Sequence, residues 1–478
     1  MKKYLFILIL LVSCEPIEIQ GATYYVAPTT ASPAGNNSNA GTIGAPWRTL
    51  TYAFQMVGAG DSILLRGGTY TWAMLGETSI RDNAGTSDNH IYIGPYNNEK
   101  PVFDFSAYNF TTYSRGIRLE NTYHVDIEGI EIKNMRQADD GQSTNSGIYI
   151  TGGVYYVNFK NMNVHHIGGW GLQFGNCMHL VFENCDFHHN SDPNSTGSSR
   201  AWDGGDGIQS ASTSVVNVTF KGCRFYKNGD DGVDLLWVAG LVTFDNCWSF
   251  LNGYRPGETD SDADDMVTAG GNGEGFKMGM KASPDVTTTL RVIKNCLAFQ
   301  NRLLGFHHYV DHADNEYEFR CEVYNNTAYR NGTGGGFNFG SQSTATDILR
   351  NNLCYDDEVY VNASNDDTYN SWNLSVSVSS ADFVSISTTG MDGERNEDGS
   401  LPYLPFLRLH ESSDLIDRGT DVGYSFNGSA PDLGAYESGE PIVIPPSDPD
   451  VSGLFRYHQG DTVWVFIKSG NKLLKKRE

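Results

Sequence analysis

The sequence is short of positive charge and of long apolar segments. Its 478 residues include 33 Lys and Arg against 57 Asp and Glu, which gives a formal net charge of −24. This surplus excludes a general nucleic-acid binder, because phosphate affinity comes from clustered Lys and Arg. Beyond the N-terminal segment, no apolar run is long enough for a membrane-spanning helix. Charged residues make up 19% and hydrophobic residues 39%, so we expect a folded chain.

The N-terminus has the pattern of an export signal. Two lysines precede the apolar run from Tyr4 to Val12, which is too short to span a bilayer. The run ends in Leu-Val-Ser followed by Cys14, which resembles a bacterial lipobox. This resemblance implies removal of residues 1–13 and lipidation of the Cys14 thiol, whereas ordinary cleavage nearer Gly21 is the alternative. We expect an exported lipoprotein of the outer membrane, cell surface or periplasm, or otherwise a secreted protein.

The seven cysteines after this segment do not have the pattern of a disulfide framework. They are odd in number and none forms a CxxC pair. One repeated position carries Cys185, Cys223, Cys247 and Cys296, and then Asn326 and Asn352 in later copies. Five residues further on stand Asn190, Asn228, Asn252, Asn301 and Asn331. We therefore expect reduced cysteines in one inward column, in preference to disulfides or a zinc site.

A second repeated position, a glycine followed by an apolar residue, sets the period of the chain. The glycines are Gly147, Gly171, Gly207, Gly232, Gly275, Gly305 and Gly336. A smallest spacing of 24 residues predicts an all-β solenoid, a parallel β-helix whose coils stack about 4.8 Å apart. The wider spacings predict loops near 191–205 and 253–273. Residues 46–54 predict a short helix that caps the first coil.

The repeats end before a proline-rich segment, which divides the chain. We expect one β-helix domain over 23–438, a proline-rich linker over 439–450 and a short basic tail over 451–478. The sequence indicates no role for the tail. We expect the protein to be a monomer that contacts a membrane only through its N-terminal lipid.

Register within the repeats brings acidic side chains together. The residues two places after each glycine form one column: Tyr149, Gln173, Gln209, Asp234, Lys277, His307 and Asn338. The residues one place before three of the glycines form a second: Asp206, Asp231 and Glu274. Asp230 lies next to Asp231, so four aspartates converge on two adjacent coils.

This group of four aspartates predicts a calcium site. Stacked carboxylates repel one another unless a cation lies between them, and Ca²⁺ takes six to eight oxygen ligands. Turn chemistry is the alternative for Asp206 and Asp231, each of which precedes a glycine, but it does not account for Asp234. Lys277 is then either a charge-balancing lysine or a base whose pKa the metal lowers.

Three parts of the sequence resemble polysaccharide lyase family nine. They are YYVAP, PWRTL and GDSILLRGGTY within 24–70, DDGVDL and GEGFKMG at 230–235 and 273–279, and SDLIDRG and APDLGAYE within 413–437. The resemblance covers residues 23–438 and implies a right-handed parallel β-helix. It also implies calcium on Asp206, Asp230, Asp231 and Asp234, with Lys277 as the catalytic base.

The activity implied by this resemblance is β-elimination on an acidic pectic polymer, polygalacturonate or rhamnogalacturonan I. Lys277 would remove the C5 proton of a galacturonate, after which the C4–O4 bond breaks. Basic side chains that could hold the substrate are Lys281, Arg302 and His307. Two other classes stay open: a β-helical glycoside hydrolase that pairs Asp231 with Asp206 or Asp234, and a non-catalytic glycan-binding β-helix.

Overall fold

The computed structural model describes residues 21–137, 144–195, 202–210, 212, 214–255, 265–279, 289–309, 319–340, 346–439, 454–459, 462–469 and 472–477. Some predictions lie outside these residues, namely those for Cys14, for Lys281 and for the linker from 440 onward. Within them the chain winds through successive coils of short parallel strands, and the predicted all-β parallel β-helix is confirmed.

Three strands of each typical coil form three parallel faces. The first face contains Thr78–Arg81, Gly169–Phe174, Ile208–Gln209, Val233–Asp234, Glu274–Lys277, Leu304–His307, Gly335–Phe339 and Val359–Val361. The second contains Thr23–Val26, Ser62–Leu65, Ile91–Pro95, Cys177–Glu183, Val215–Lys221, Val242–Asp245, Thr289–Lys294, Phe319–Tyr324, Ile348–Arg350 and Asp366–Asp367. The third contains Gly68–Thr71, Pro101–Asp104, Glu131–Met135, Asn163–Ile167, Asp186–His188, Arg224–Tyr226, Trp248–Phe250, Leu297–Phe299, Thr327–Tyr329 and Leu353–Tyr355.

Two long strands join the first face to the second. Arg115–Glu128 and Asn145–Lys160 pair in parallel along both faces, with a register shift between Glu120 and Thr122. A strand that continues around a corner keeps its backbone hydrogen bonds while the shift redirects its side chains. The first and second faces are therefore one continuous hydrogen-bonded sheet.

The interior of the solenoid is filled by stacked columns of apolar side chains. Phe159, Phe182, Phe220 and Phe244 stack face to face with ring centroids 4.6, 4.8 and 5.1 Å apart. These distances match the spacing of parallel strands, so each residue type repeats directly above its equivalent. The predicted cysteine column is present: Cys185, Cys223, Cys247 and Cys296 are buried and unpaired.

A ladder of buried asparagines closes one edge of the solenoid. Asn228 Nδ2 donates to Asn252 Oδ1 at 3.0 Å, and Asn252 Nδ2 donates to Asn301 Oδ1 at 2.8 Å. Each side chain also accepts a bond from the backbone N–H of the preceding coil. Buried turns carry backbone groups that need partners, and one amide per coil supplies them.

The capping helix begins later than the sequence predicts. It runs from Leu50 to Met56, and the preceding Thr49 is its N-cap, with a side chain that accepts the N–H of Tyr52 at 3.3 Å. Trp47, expected inside the helix, instead bridges Val26 of the first coil in parallel register. The helix still covers the open end of the solenoid, because Leu50, Ala53 and Phe54 are fully buried against it.

Two segments depart from the regular coils, a ribbon within a predicted loop and an irregular segment near the C-terminal end of the solenoid. A two-stranded antiparallel ribbon, Tyr254–Arg255 with Asp265–Ala269, leaves the coil within the predicted 253–273 loop. Residues 368–439 make irregular structure with one 3₁₀ turn, Ser380–Asp382, and Phe383, Phe406 and Leu415 pack in a second core with side chains of the third face. A further short helix, Trp72–Leu75, follows the third-face strand of its coil.

The basic tail forms a small antiparallel sheet. Its strands are Leu454–Gln459, Thr462–Ser469 and Lys472–Arg477, joined in sequence order. Among the described helices, none has the length and apolar character needed to cross a membrane.

Candidate active site and metal centre

The predicted column of side chains lies along the outside of the first face. Asp234 pairs in register with Gln209 on one side and with Lys277 on the other. Lys277 in turn pairs with His307, and His307 with Asn338. The register read from the repeated glycines is therefore the register of the sheet.

Alternation along each short strand explains why this column points outward. Val233, Phe276 and Phe306 precede the column residues and are fully buried in the core. Because successive strand residues point to opposite sides of a sheet, Asp234, Lys277 and His307 face away from that core. The glycine before each apolar residue fits closely under the next coil, so that a side chain at Gly275 would lie 2.7 Å from Asn301 Nδ2.

Three of the four predicted aspartates form a compact buried group. One carboxylate oxygen from each of Asp206, Asp230 and Asp231 lies within 4.8 Å of the other two. Asp206 Oδ1 accepts the backbone N–H of Asp231 at 2.9 Å, and Asp231 Oδ1 accepts the N–H of Glu274 at 2.7 Å. In both carboxylates the other oxygen, Oδ2, takes no part in these two backbone hydrogen bonds.

The fourth aspartate joins the group through Lys277. Lys277 Nζ donates to Asp231 Oδ2 and to Asp234 Oδ2, both at 3.1 Å. The lysine is 7% exposed, and its Nζ lies 5.6 Å from the centre of the Tyr309 ring. Burial lowers the pKa of Lys277, but the attraction of Asp231, Asp234 and Glu274 outweighs burial and raises that pKa well above its usual value.

The environment favours the charged form of Lys277 but disfavours the charged forms of the aspartates. Burial and neighbouring carboxylates raise the pKa of Asp206 and Asp230 well above the usual range, and raise that of Asp231 to about 7. Asp234 Oδ1 is buried and accepts no hydrogen bond. An unsatisfied oxygen beside three converging carboxylates fits a hard divalent cation, which would neutralise the repulsion and fill the free coordination sites. Asp206, Asp230, Asp231 and Asp234 are the residues that would hold it.

A short backbone segment closes over Asp230. The N–H of Asn272 donates a hydrogen bond to Asp230 Oδ1, and an added Cβ at Gly271 would lie 2.2 Å from the same oxygen. Arg302 holds this segment from the other side, with Nε donating to the Gly271 carbonyl at 3.0 Å and Nη2 to that of Asn272 at 2.9 Å. Arg302, a sequence candidate for substrate binding, thus braces the backbone that contacts a candidate ligand.

His307 lies one coil beyond Lys277, paired with an acidic residue. Its Nδ1 is 2.7 Å from Glu274 Oε2, and its ring meets that of Tyr309 edge to face with centroids 5.7 Å apart. The imidazole and Lys277 attract Glu274 more than burial disfavours its charge, so the pKa of Glu274 is lowered. The column therefore presents a lysine and a histidine side by side, each held by carboxylates. Lys281 is outside the described residues.

Sequence reasoning missed two features of this region. Tyr309, beside Lys277, follows the repeated positions and has no equivalent in the other coils. A second group, His308, Cys321 and Asp347, also places one ligand atom of each within 4.8 Å of the others. Asp347 accepts hydrogen bonds at 2.8 Å from the His308 ring and from the Cys321 N–H, so these buried groups bind one another.

Comparison with known proteins agrees with the fold. The model of the Pel9A-like right-handed β-helix region matches residues 24–353. Pectate lyase L of Dickeya chrysanthemi is 32% identical over 421 residues, which are 87% of this chain and 90% of that protein. The crystal structure of pectate lyase Pel9A superposes with a TM-score of 0.70 at 30% identity, covering 87% of this chain and 96% of the other. A rhamnogalacturonan lyase structure, 24% identical with a TM-score of 0.67 over 82% and 97% of the two chains, shares the fold.

The right-handed β-helix fold and these relatives together define the class of this protein, a polysaccharide lyase. The chain belongs to the Pel9A-like family, polysaccharide lyase family nine. The predicted family and handedness are confirmed, and so is the predicted enzyme class, a polysaccharide lyase.

Proposed function

We propose that the protein is a calcium-dependent lyase that cleaves galacturonate-containing pectic polymers by β-elimination, with Lys277 as the base. The observation that carries this proposal is the pair of 3.1 Å contacts from Lys277 Nζ to Asp231 and Asp234. A buried amine next to a candidate site for a divalent cation would provide a base and a positive charge, the two features that this reaction requires. The C5 hydrogen of a uronate is α to a carboxylate, and its removal leaves negative charge on that carboxylate.

The aspartates are the proposed calcium ligands. Calcium held by Asp206, Asp230, Asp231 and Asp234 would supply positive charge beside the substrate carboxylate, where negative charge develops during proton removal. The ligands fit this ion because they are hard oxygen donors, and one of them, Asp234, keeps a buried oxygen without a partner.

The protonation state of Lys277 is then coupled to the state of its aspartate partners. Asp231 and Asp234 are the largest causes that raise its pKa, whereas burial acts in the other direction. Neutralising these carboxylates therefore removes the stabilisation of the ammonium form and leaves the burial that favours the free amine. Lys277 Nζ then accepts the C5 proton and the C4–O4 bond breaks, which leaves a 4,5-unsaturated uronate. The departing O4 takes up one proton and Lys277 releases the one that it accepted, so the elimination consumes no water.

The substrate that we propose first is polygalacturonate. The pectate lyase L proteins of Dickeya chrysanthemi and Dickeya dadantii, each 32% identical to this chain, support it by name. The rhamnogalacturonan lyase neighbour, at 24% identity, supports only the fold, so rhamnogalacturonan I is the second substrate to test. Both polymers contain galacturonate and are open to the same elimination.

We also propose that the protein acts outside the cytoplasm. The apolar segment before Cys14 and the lipobox-like sequence support export and lipid attachment. A polymer too large to enter a cell requires an enzyme at the surface or beyond it. Labelling with a radioactive or clickable fatty acid, compared with a Cys14→Ala variant, tests the anchor.

A paired assay tests the proposed activity. Polygalacturonate and rhamnogalacturonan I are each incubated with the purified protein, with calcium or with a chelator, and near-UV absorbance reports the unsaturated product. We expect a rise with calcium on polygalacturonate and none with the chelator. New reducing ends without absorbance would indicate a hydrolase, and retention on the polymer without cleavage would indicate a binding protein.

A further inference from the structure

The first face carries a second group of charged and aromatic side chains, several coils from the acidic cluster. Arg118, on the long strand Arg115–Glu128, pairs in register with Tyr149, and Tyr149 with Gln173. Gln173 pairs with Gln209, and Gln209 with Asp234, next to Lys277. These residues belong to the same outward column. At about 4.8 Å per coil, Arg118 lies five steps, or roughly 24 Å, from Lys277 along the axis.

Arg115 is held between two tyrosine rings at this end of the column. Its guanidinium carbon lies 4.3 Å from the ring centre of Tyr113 and 4.3 Å from that of Tyr149. Tyr113 is fixed in turn, because its hydroxyl donates to Gln173 Oε1 at 2.7 Å and lies 3.1 Å from Ser146 Oγ. A planar cation between two aromatic faces keeps a defined orientation at small cost in side-chain entropy.

The two arginines of this group have donors that the protein does not use. Arg115 and Arg118 share one carboxylate, Glu77, at 3.6 and 3.7 Å, beyond the 2.7–2.9 Å or so of a charge-assisted hydrogen bond. The Nε atoms of both are buried and donate no hydrogen bond. Arg118 also contacts Glu120 at 2.7 Å. Arg115 is therefore the guanidinium of this group that has no ion pair at hydrogen-bond distance among the described residues, in a chain of net charge −24.

We propose that Arg115, Arg118 and the flanking rings of Tyr113 and Tyr149 form a distal subsite that binds a uronate carboxylate of the polymer. The proposal rests on the proposed function, because it requires an acidic polymer that is bound at Lys277 and extends along this column as far as the two arginines. A guanidinium recognises a carboxylate through two parallel N–H donors, and the exposed edges of the tyrosines contact the sugar ring. The subsite lies several sugar residues from the bond that is cleaved.

This arrangement predicts that the subsite acts on long substrates only. A polymer long enough to reach from Lys277 to the coil that carries Arg115 and Arg118 gains the additional ion pair. A trimer bound at Lys277 does not span the roughly 24 Å along the axis that separates the two coils. Loss of the subsite therefore raises KM for polymer and leaves kcat and all parameters for the trimer unchanged, because the reacting atoms are not touched.

The test uses Arg115→Gln, with Arg320→Gln as the matched control. Arg320 lies on the second face, paired with Glu322 at 2.9 Å, and its loss removes the same charge away from the column. We expect about a 10-fold higher KM on polygalacturonate for R115Q, the effect of one charge-assisted contact, and no change for R320Q. Arg115→Lys keeps the charge but loses the planar fork, so it should recover only part of the loss.

Binding of polygalacturonate to a Lys277→Ala background separates this inference from the proposed activity. R115Q should weaken that binding about 10-fold as well. An unchanged KM and affinity in R115Q would overturn the subsite even where the wild type cleaves, whereas a wild type without lyase activity would overturn the proposed function. If R115Q unfolds at a lower temperature than the wild type, Arg118→Gln decides: the same loss supports the subsite, and unchanged affinity contradicts it.

Discussion

Lys277 and Asp234 are direct neighbours on adjacent coils, with Nζ 3.1 Å from Oδ2. The contact couples the candidate base to a candidate calcium ligand, since the Asp234 carboxylate accepts a hydrogen bond from Lys277 and is also a proposed ligand of the ion. The other oxygen of Asp234 is buried without a hydrogen bond. The same side chain therefore helps to raise the pKa of Lys277, together with Asp231, and offers a free coordination site.

Replacement of Asp234 by Asn should weaken calcium binding. The variant keeps the shape of the side chain but removes one negative ligand, and we expect an affinity at least about 10-fold lower. Calorimetric titration with calcium measures the change directly, and a smaller calcium-induced rise in Tm should accompany it. Asp245→Asn is the control, because Asp245 is paired with Lys294 on the second face. Equal calcium affinity in D234N and D245N would remove Asp234 from the site.

Arg302→Lys distinguishes support of the metal site from substrate binding. The guanidinium of Arg302 donates to the carbonyls of Gly271 and Asn272, and the Asn272 N–H contacts Asp230. Lysine keeps the charge but cannot hold both carbonyls with one planar group. We expect a loss of calcium affinity of about 10-fold, with normal KM once calcium saturates. A raised KM at unchanged calcium affinity would instead assign Arg302 to the substrate, and Arg330→Lys, at an exposed turn, serves as the control.

A partly buried histidine pair predicts loss of stability in acid. His188 stacks on Tyr226 with centroids 4.5 Å apart and lies 2.6 Å, Nδ1 to Nδ1, from His189. Burial above all, and then neighbouring histidines, lower the pKa of His188 well below its usual value. Its stabilising contribution is therefore present above the unfolded pKa of about 6.5 and is lost as pH falls below that value.

His188→Tyr tests this pH dependence, because tyrosine is the residue of the next coil at that position. The variant should lose less Tm than the wild type between about pH 7.5 and pH 5, since one proton-binding site of the unfolded chain has been removed. His410→Asn, at an exposed site, is expected to follow the wild-type curve. An identical pH slope in H188Y and the wild type would contradict the account.

The asparagine ladder predicts a large effect from one buried amide. Asn252 is fully buried and bonds to Asn228 and Asn301 as well as to the Phe225 carbonyl. Asn252→Ala leaves those groups without partners, and we expect the free energy of unfolding to fall by about 2–4 kcal/mol. Chemical denaturation measures it, with the exposed Asn427→Ala as control. A loss no greater than that of the control would show that the ladder is dispensable.

Much of the solenoid and of its site follows from positions that repeat. The glycine frame predicts the neighbours of Lys277, because a glycine is required where each coil meets the next. The cysteine and asparagine columns are predictable for the same reason, since one environment recurs in every coil. The sequence predicts that the helix capping the first coil begins near Pro46, which is too early, because Trp47 bridges Val26 and leaves Thr49 as the N-cap.

Features built from residues outside the repeats could not be predicted. Tyr113 reaches Arg115 from a segment with no equivalent in other coils, and Arg302 reaches two backbone carbonyls whose position depends on an excursion of the chain. Residues 368–439 cover the third face without regular strands, so no periodicity marks their packing. Such contacts depend on tertiary structure and leave no pattern in the sequence.

The most direct test of calcium-dependent elimination by Lys277 is the rate of near-UV absorbance increase on polygalacturonate for the wild type and Lys277→Ala, both saturated with calcium. We predict that the wild type forms the unsaturated product and that the variant, which still binds calcium by calorimetry, is slower by at least about 100-fold. A Lys277→Ala variant that forms the unsaturated product at the wild-type rate would contradict the account.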